Sequence, residues 1–293
     1  MRFRHHTWLR AFLFACVAAA PCAPPTAAEE RRMEEVVVTP GRLEQRRTDV
    51  AETVSVITQR DVRQSAARTV DDLLRQVPGF SLFRRSSSLV AHPTTQGVSL
   101  RGIGPSGVSR TLVLLDGIPL NDPFGGWVYW SRVPMESVER IEVVRGGGSG
   151  VWGNAALGGV IHVLTERPRD RALRLTAQGG SRETWRVDGG VSERAGPVGV
   201  QLGGSAFDTG GYPVVQAGQR GAIDEDAASR NGSFRGRLEY EAAPGAELHL
   251  DGSFFAEDRE NGTPLTRNET DIGTAGAGGR IVSADGSEWL VGA

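Results

Sequence analysis

Lysine is absent from this chain of 293 residues, so all 33 basic residues are arginine. This absence excludes enzymes that hold a carbonyl substrate as a lysine Schiff base, and it excludes phosphate-binding loops that depend on a lysine. Cysteine is scarce, since Cys16 and Cys22 are the only two and both lie near the N-terminus. The arginines are scattered among 35 acidic residues rather than clustered, which argues against a nucleic-acid partner.

The first 28 residues have the organisation of a signal peptide. Three arginines lie among the first ten residues, residues 11–20 are apolar, and small residues allow cleavage after Ala28. A transmembrane anchor is one alternative, but the apolar run is short for it. A lipoprotein signal ending at Cys16 is another, although the residues before it match poorly. Cleavage would leave 30 basic and 35 acidic residues and no cysteine, so no disulfide is expected.

Residues 45–168 have a mixed pattern that predicts a compact α+β domain. A helix is expected at 69–76, because Val70, Leu73, Leu74 and Val77 share one face and Thr69 and Asp72 resemble a capping box. Strands are expected at Thr53–Thr58, 80–83, 98–101, Thr111–Leu115, 140–144 and 160–164. The last three are mostly apolar, which predicts central strands covered on both faces.

From residue 169 onward, apolar and polar residues alternate for about ten residues at a time. Short turns at 196–197 and 244–245 are predicted to alternate with long polar loops at 209–230 and 258–273. No stretch approaches the roughly 20 apolar residues of a membrane-spanning helix. The pattern therefore predicts antiparallel transmembrane β-barrel strands, with a soluble antiparallel sandwich as the alternative.

Several patterns that mimic active sites lack the surroundings that their chemistry needs. Residues 102–107 fit the dinucleotide pattern G-x-G-x-x-G, but Pro105 interrupts it and a strand follows instead of a helix. His92, His162 and His249 have no metal-ligand spacing. No nucleophile and base stand in a recognisable order. We therefore expect no enzyme activity, no cofactor and no metal site.

A run of three valines, Val36 to Val38, lies between Glu35 and Thr39 in the linker before the first domain. β-Branched residues favour an extended backbone, and Pro40 cannot continue a strand ladder. No neighbouring segment is expected to pair with this strand, which suits it to join the sheet edge of a partner protein. The run resembles the TonB box of outer-membrane receptors.

Five further blocks strengthen the resemblance. They are Val77-Pro78-Gly79-Phe80, Ser99-Leu100-Arg101-Gly102, Val113-Leu114-Leu115-Asp116-Gly117-Ile118-Pro119-Leu120, Val138-Glu139-Arg140-Ile141-Glu142-Val143-Val144-Arg145-Gly146 and Trp152-Gly153-Asn154-Ala155-Ala156-Leu157-Gly158-Gly159-Val160-Ile161. In this order they resemble the plug domain of TonB-dependent outer-membrane receptors, of the vitamin B12 and colicin receptor type. The resemblance implies four parts, which are a signal peptide (1–28), a TonB box and linker (29–44), a plug (45–168) and barrel strands (169–293).

The expected fold is an α+β plug, with a small mixed sheet and short helices, followed by an incomplete barrel. We count six strands and the start of a seventh, whereas a barrel that encloses a domain needs about 22. We therefore expect a truncated or partial sequence of a larger receptor.

The resemblance implies energy-coupled import of a metal chelate, such as an iron-siderophore or cobalamin, across the outer membrane. Glu35, Val36, Val37, Val38 and Thr39 would pair with the periplasmic protein TonB, and the outer-facing strand residues would contact membrane lipid. A plug-like module or remnant that binds ligand or signals without transport is the alternative.

The resemblance also implies that Arg101 and Arg145 face barrel glutamates, although a solvated strand-end arginine is the simpler reading. Two loops of the plug are candidate substrate contacts. The first, at 85–96, is polar and rich in serine, and the second, at 121–131, carries clustered aromatic residues that suit a flat or ring-shaped ligand. The same aromatic residues could instead pack against the barrel wall. The candidates are Arg85, Ser87, His92, Asn121, Trp127, Tyr129 and Trp130.

Overall fold

A computed structural model describes residues 52–84, 86–103, 109–283, 285 and 287–292, and the backbone of residues 37–38 and 45–46. The predicted signal peptide lies outside the described residues, as do Glu35, Val36, Thr39 and Arg85. We refer to residues 52–168 as the N-terminal domain. No helix in the described part of the chain is long and apolar enough to cross a membrane.

Two short strands precede the N-terminal domain. Strand β1 (Val37–Val38) pairs antiparallel with β2 (Gln45–Arg46), so that Val37 lies opposite Arg46 and Val38 opposite Gln45. The expectation that no nearby segment pairs with the valine run was therefore wrong. The pairing was missed because the sequence of Gln45–Arg46 carries no strand signal of its own.

The N-terminal domain is built on a five-stranded mixed sheet in the order β3-β8-β9-β6-β7. Pairing is antiparallel except between β6 and β9, which run parallel. A separate hairpin pairs β4 with β5. The strands are β3 (Thr53–Thr58), β4 (Phe80–Leu82), β5 (Val98–Leu100), β6 (Thr111–Leu115), β7 (Ile118–Pro119), β8 (Val138–Arg145) and β9 (Gly159–Thr165).

The three central strands of this sheet are β8, β9 and β6, as their apolar sequences predicted. Every residue of β6 is buried, and β9 is buried along nearly its whole length. One hydrophobic cluster covers one face, including Ile141, Ile161 and Trp130, and a smaller cluster including Leu114 and Val160 covers the other. Burial on both faces explains why these strands show continuous apolar runs rather than alternation.

Three short helices accompany the sheet, namely α1 (Gln59–Gln64), α2 (Val70–Leu74) and α3 (Ser149–Trp152). Helix α2 is the predicted helix, although it ends two residues earlier than expected. The Thr69 side chain contacts Asp72 but caps no backbone amide. The capping box belongs instead to α1, where Thr58 and Asp61 exchange hydrogen bonds with each other's backbone. Sequence reasoning missed α1.

The second region forms one antiparallel sheet of seven strands in chain order. They are β10 (Ala172–Gly179), β11 (Trp185–Ala195), β12 (Val198–Thr209), β13 (Ser229–Ala243), β14 (Ala246–Glu260), β15 (Arg267–Val282) and β16 (Glu288–Gly292). Within the described residues β10 and β16 remain its two edges. The predicted tight turns at 196–197 and 244–245 are confirmed. The predicted long loop at 258–273 was wrong, because β14 and β15 extend into it.

One face of this sheet is apolar and exposed, and the other is polar. On β13, Phe234, Leu238 and Tyr240 point outward, whereas the intervening Arg235, Arg237 and Glu239 point inward and are shielded. The same alternation runs through the neighbouring strands. An exposed apolar face backed by a polar face is typical of the lipid-facing wall of a barrel. The strands are joined at one end of the sheet by the longer connections 180–184, 210–228 and 261–266, and we call this end the loop end.

Candidate functional site

Asp116 anchors the N-terminal domain to the polar face of the seven-stranded sheet. It occupies the turn between β6 and β7 with φ +47°, followed by Gly117 at +87°, and an Asp-Gly pair favours this kind of turn. The backbone amide and hydroxyl of Thr165 donate to its two carboxylate oxygens, each at 2.8 Å. Its carboxylate also forms an ion pair with Arg235 of β13.

The electrostatics of this contact favour the ionised carboxylate. Burial alone raises the pKa of Asp116, but Arg235, the Thr165 amide and Arg237 outweigh it and hold that pKa below its ordinary value. Both arginines are themselves shared with Asp251 of β14, at 3.2 Å each. Asp116 therefore joins a network of alternating charges that already lies on the polar face of the sheet.

A second contact lies near the loop end of the sheet. The Ser131 hydroxyl donates to Oε1 of Glu257 at 2.9 Å, and Arg259 pairs with the same carboxylate at 2.6 Å. Arg259 also donates from Nη1 to the Ala91 carbonyl at 2.5 Å. The Glu257 and Arg259 side chains are each only 1% exposed, so these two charges are almost fully desolvated and depend on each other.

A third group of contacts surrounds Glu166, which lies where the chain leaves the N-terminal domain. Its carboxylate accepts hydrogen bonds from Gln59 and Arg63 of the N-terminal domain and from Arg174 of β10. Close by, Arg194 of β11 donates from Nε to the Pro168 carbonyl at 3.2 Å. Glu166 therefore ties α1, the domain exit and the first strand of the sheet together.

The interface between the N-terminal domain and the sheet is thus made largely of hydrogen bonds and ion pairs. Among the described residues, no group of three or more histidine, cysteine or acidic side chains is arranged to hold a metal ion.

The protein family described as TonB-dependent Receptor Plug Domain matches residues 46–160. Among curated proteins, the vitamin B12 transporter BtuB of Photobacterium profundum is 25% identical over 264 residues, covering 87% of this chain and 42% of BtuB. Residues 46–160 are a TonB-dependent receptor plug domain. The N-terminal domain is hereafter called the plug, and the seven-stranded sheet the barrel wall.

Solved receptors share the arrangement of plug and barrel wall. A mutant of the ferric enterobactin receptor PfeA from Pseudomonas aeruginosa, in complex with enterobactin, superposes with a TM-score of 0.62 at 20% identity, covering 83% of this chain and 40% of that one. The siderophore receptor PirA from Pseudomonas aeruginosa gives 0.57 at 25% identity, covering 82% and 41%. The predicted fold class is confirmed. The chain spans about two fifths of the length of these relatives, which are transporters and receptors rather than enzymes.

The predicted substrate residues of the first plug loop are mostly occupied by local contacts. Ser87 accepts hydrogen bonds from the amides of Val90 and Ala91 at its carbonyl, and from Leu89 at its hydroxyl. His92 Nδ1 contacts Thr94, and burial, then Arg259, lower the pKa of His92, which favours its neutral form. Their predicted role in substrate binding stays a prediction, and Arg85 lies outside the described residues.

The second plug loop differs from the expected aromatic platform. The Asn121 side chain accepts a hydrogen bond from the Val113 amide and donates to the carbonyls of Thr111 and Gly126, which holds the loop against β6. Trp130 is fully buried in the plug core. Tyr129 packs on Phe255 of β14 with ring centroids 6.3 Å apart, which is the wall-packing alternative.

Two aromatic residues of this second loop retain exposed surface. Trp127 is half-buried with its ring over Gly125, and Phe124, which sequence reasoning missed, is 97% exposed. The Asp122 carboxylate holds this tip by accepting from the amides of Phe124 and Gly125 at 3.0 and 2.7 Å.

The two predicted plug–barrel arginines make no contact with the described barrel wall. Arg145 donates to the Pro78 carbonyl at 3.1 Å and to the Ser55 hydroxyl at 2.9 Å, both within the plug. Arg101 is exposed, at φ +58°, and its amide donates to the Gly79 carbonyl. Their pairing with barrel glutamates stays a prediction. Most of the contacts that sequence reasoning missed run the other way, from wall arginines to plug acceptors, whereas Ser131 and Arg167 donate to the wall residues Glu257 and Glu247.

Proposed function

We propose that this chain acts as the plug and first wall strands of an outer-membrane receptor that imports a metal chelate with energy supplied through TonB. The observation that carries the proposal is the position of the plug on the polar face of a sheet whose opposite face is apolar and exposed. The exposed face suits outer-membrane lipid, and the plug lies where it would obstruct a barrel lumen.

The relatives support the class of cargo. BtuB is described as a vitamin B12 transporter, and PfeA and PirA as receptors for ferric enterobactin and siderophores. All of these cargoes carry a bound metal in an organic shell, so we propose an iron-siderophore or cobalamin as substrate. Growth on one defined iron or cobalamin source at a time, in cells dependent on this receptor, would distinguish the two.

The proposed energy coupling begins at the valine run. Glu35, Val36, Val37, Val38 and Thr39 would form a strand on the sheet edge of TonB, bound mainly through main-chain hydrogen bonds. Because β1 already pairs with β2, TonB must either displace Gln45–Arg46 or use the free edge of β1. A pull on this segment is transmitted to β3, which is an edge strand of the plug sheet and pairs only with β8 among the described strands.

Capture of the chain by the periplasmic domain of TonB tests this step. Val37→Pro removes an amide donor and bends the strand, so we expect capture to be lost. Arg46→Pro is the matched control, because it disrupts β2 but leaves the valine run intact, and capture should be kept or increased. Unchanged capture of Val37→Pro would refute the assignment. A module that only binds ligand would retain ligand binding but show no capture for either variant.

A further inference from the structure

A cavity of about 330 Å³ lies between the plug and the inner face of the barrel wall. Strands β10 to β14 form one side of it, and the plug segment around residues 132–137 and the domain exit at 165–170 form the other. Its volume is at the lower end of the range for small-molecule sites. None of the predicted substrate-contact residues lines it.

The cavity is lined by more cations than anions. Seven arginines face it, against four acidic residues, Glu136, Glu166, Asp170 and Asp188. The arginines are Arg63, Arg132, Arg167, Arg169, Arg174, Arg235 and Arg237. Glu166 is already shared between Arg63 and Arg174, and Asp188 is paired with Arg186 outside the cavity. Six of the seven arginines also form ion pairs, some of them with carboxylates outside the lining, such as Glu247 for Arg167 and Glu139 for Arg169. An anion would therefore be attracted chiefly by Arg132, whose charge is the least compensated.

Among the arginines that line the cavity, Arg132 is the one that forms no ion pair with a described residue. It ends the single-turn helix Trp130–Arg132, and no carboxylate of the described residues lies within ion-pair distance of its guanidinium. Burial lowers the pKa of Arg132, and within the described part of the chain only Tyr129 counteracts this effect. A partly buried arginine that receives no compensation from a carboxylate is costly, so an external anion would stabilise it.

Arg235 adds a second open donor beside it. One of its terminal nitrogens pairs with Asp116 and Asp251, but Nη1 is buried and has no hydrogen-bond partner among the described residues. Arg132 and Arg235 also line a second, water-sized cavity of about 20 Å³ together, so the two side chains border the same two spaces. Two neighbouring cations with free donors form a fork that fits the oxygens of a carboxylate or phosphate.

We propose that this cavity is an oxyanion site in which Arg132 and Arg235 bind a carboxylate or phosphate group of a small molecule. Because the site lies between plug and wall, an anion bound there would bridge the two and compete with Asp116 for Arg235. If the proposed import function holds, the group would belong to an acidic metal chelate on its way past the plug.

Calorimetric titration of the refolded full chain in nonionic detergent tests the site without requiring transport. Citrate and inorganic phosphate are titrated separately at low ionic strength, where attraction between charges is least screened. We expect saturable one-to-one binding of at least one of them, weakened about tenfold or more by Arg132→Gln. Binding of citrate alone assigns carboxylates as the ligand class, and binding of phosphate alone assigns phosphate esters.

Two further variants keep the test decisive. Arg220→Gln removes one exposed arginine from the loop at 210–228, distant in sequence from the cavity lining, and should leave binding unchanged. Ser233→Asp places a carboxylate in the cavity wall while leaving Arg132 intact, and it should abolish binding even if Arg132→Gln fails to fold. No saturable binding by the unmodified chain, or equal weakening by Arg220→Gln, would overturn the site. Neither result bears on capture by TonB, so failure of the import function is separately detectable.

Discussion

Replacing Asp116 by asparagine isolates the charge that fastens the plug to the barrel wall. Asparagine tolerates the left-handed backbone at this position, so the turn is expected to survive. Its amide oxygen can still accept from the Thr165 amide, which the carboxylate receives at 2.8 Å. The change removes the ion pair with Arg235, and it reverses the second hydrogen bond with Thr165, because the asparagine NH2 group would donate to the hydroxyl that now donates to Oδ2.

The expected loss follows from the burial of this pair. The Asp116 and Arg235 side chains are 9% and 15% exposed, so the pair is largely desolvated. Breaking a buried pair costs about 3–5 kcal/mol, and losing one hydrogen bond to a charged group costs about 1.5–3 kcal/mol. Arg235 keeps Asp251 at 3.2 Å, which favours the lower range. We expect Asp116→Asn to lower the free energy of unfolding by about 2 kcal/mol.

The pH dependence provides a second test of the same contact. Because the folded state holds the pKa of Asp116 below its unfolded value, the stabilisation is fully present above that unfolded value, about pH 4, and is lost as pH falls through the folded pKa. The stability difference between the unmodified chain and Asp116→Asn should therefore shrink below about pH 4.

Urea unfolding of both chains in detergent, followed by tryptophan fluorescence at pH 7 and at pH 3, measures this difference. A loss below about 0.5 kcal/mol at pH 7 would show that the contact does not stabilise the plug, since surface pairs give such values. A difference that is unchanged at pH 3 would show that the effect arises from the shape of asparagine and not from its missing charge.

Two further substitutions test the interior of the plug by urea unfolding. Asp71→Ala should lower the free energy of unfolding by about 3–5 kcal/mol, because it leaves the buried Arg84 guanidinium without its carboxylate and removes the Ser88 hydrogen bond at 2.7 Å. Adding Arg84→Met to this variant should recover part of the lost stability. No recovery would mean that the ion pair is not the cause of the loss. Gly159→Ala should lower the free energy of unfolding by about 2–4 kcal/mol, because Gly159 has φ +138° and an added Cβ would lie 2.3 Å from the Val144 carbonyl oxygen. Gly147→Ala, which meets no atom within 4 Å, is its control, and equal losses for both would contradict this account.

Local sequence patterns were sufficient for most of the strands. β3 and β6 begin and end where their β-branched and apolar residues predict, and the alternation along β13 is enough to distinguish its exposed apolar side from its plug-facing polar side. These features depend on residues a few positions apart. Helix α1 was also detectable, because Thr58 and Asp61 have capping-box spacing, although its apolar face is limited to Val62 and gives no periodic signal.

The interface could not be predicted in the same way. Ser131 and Glu257 are 126 positions apart, and Ala91 and Arg259 are 168 positions apart, so no local pattern relates them. An Asp-Gly pair indicates a turn, but nothing in it indicates that the Asp116 carboxylate also binds a wall arginine. Asn121 and Trp130 looked like ligand contacts because polar and aromatic residues on loops suit binding, whereas here they clamp and fill the plug.

The central claim is that the plug lies against the inward-facing side chains of the barrel wall, and chemical cross-linking tests it most directly. After Cys16 and Cys22 are replaced by serine, Ser131→Cys is combined with Glu257→Cys in one chain and with Asp258→Cys in another. Residues 257 and 258 are adjacent on β14 but point to opposite faces. A short bismaleimide should join positions 131 and 257 rapidly and positions 131 and 258 hardly at all. Equal cross-linking of the two pairs, or faster reaction at 258, would contradict the account.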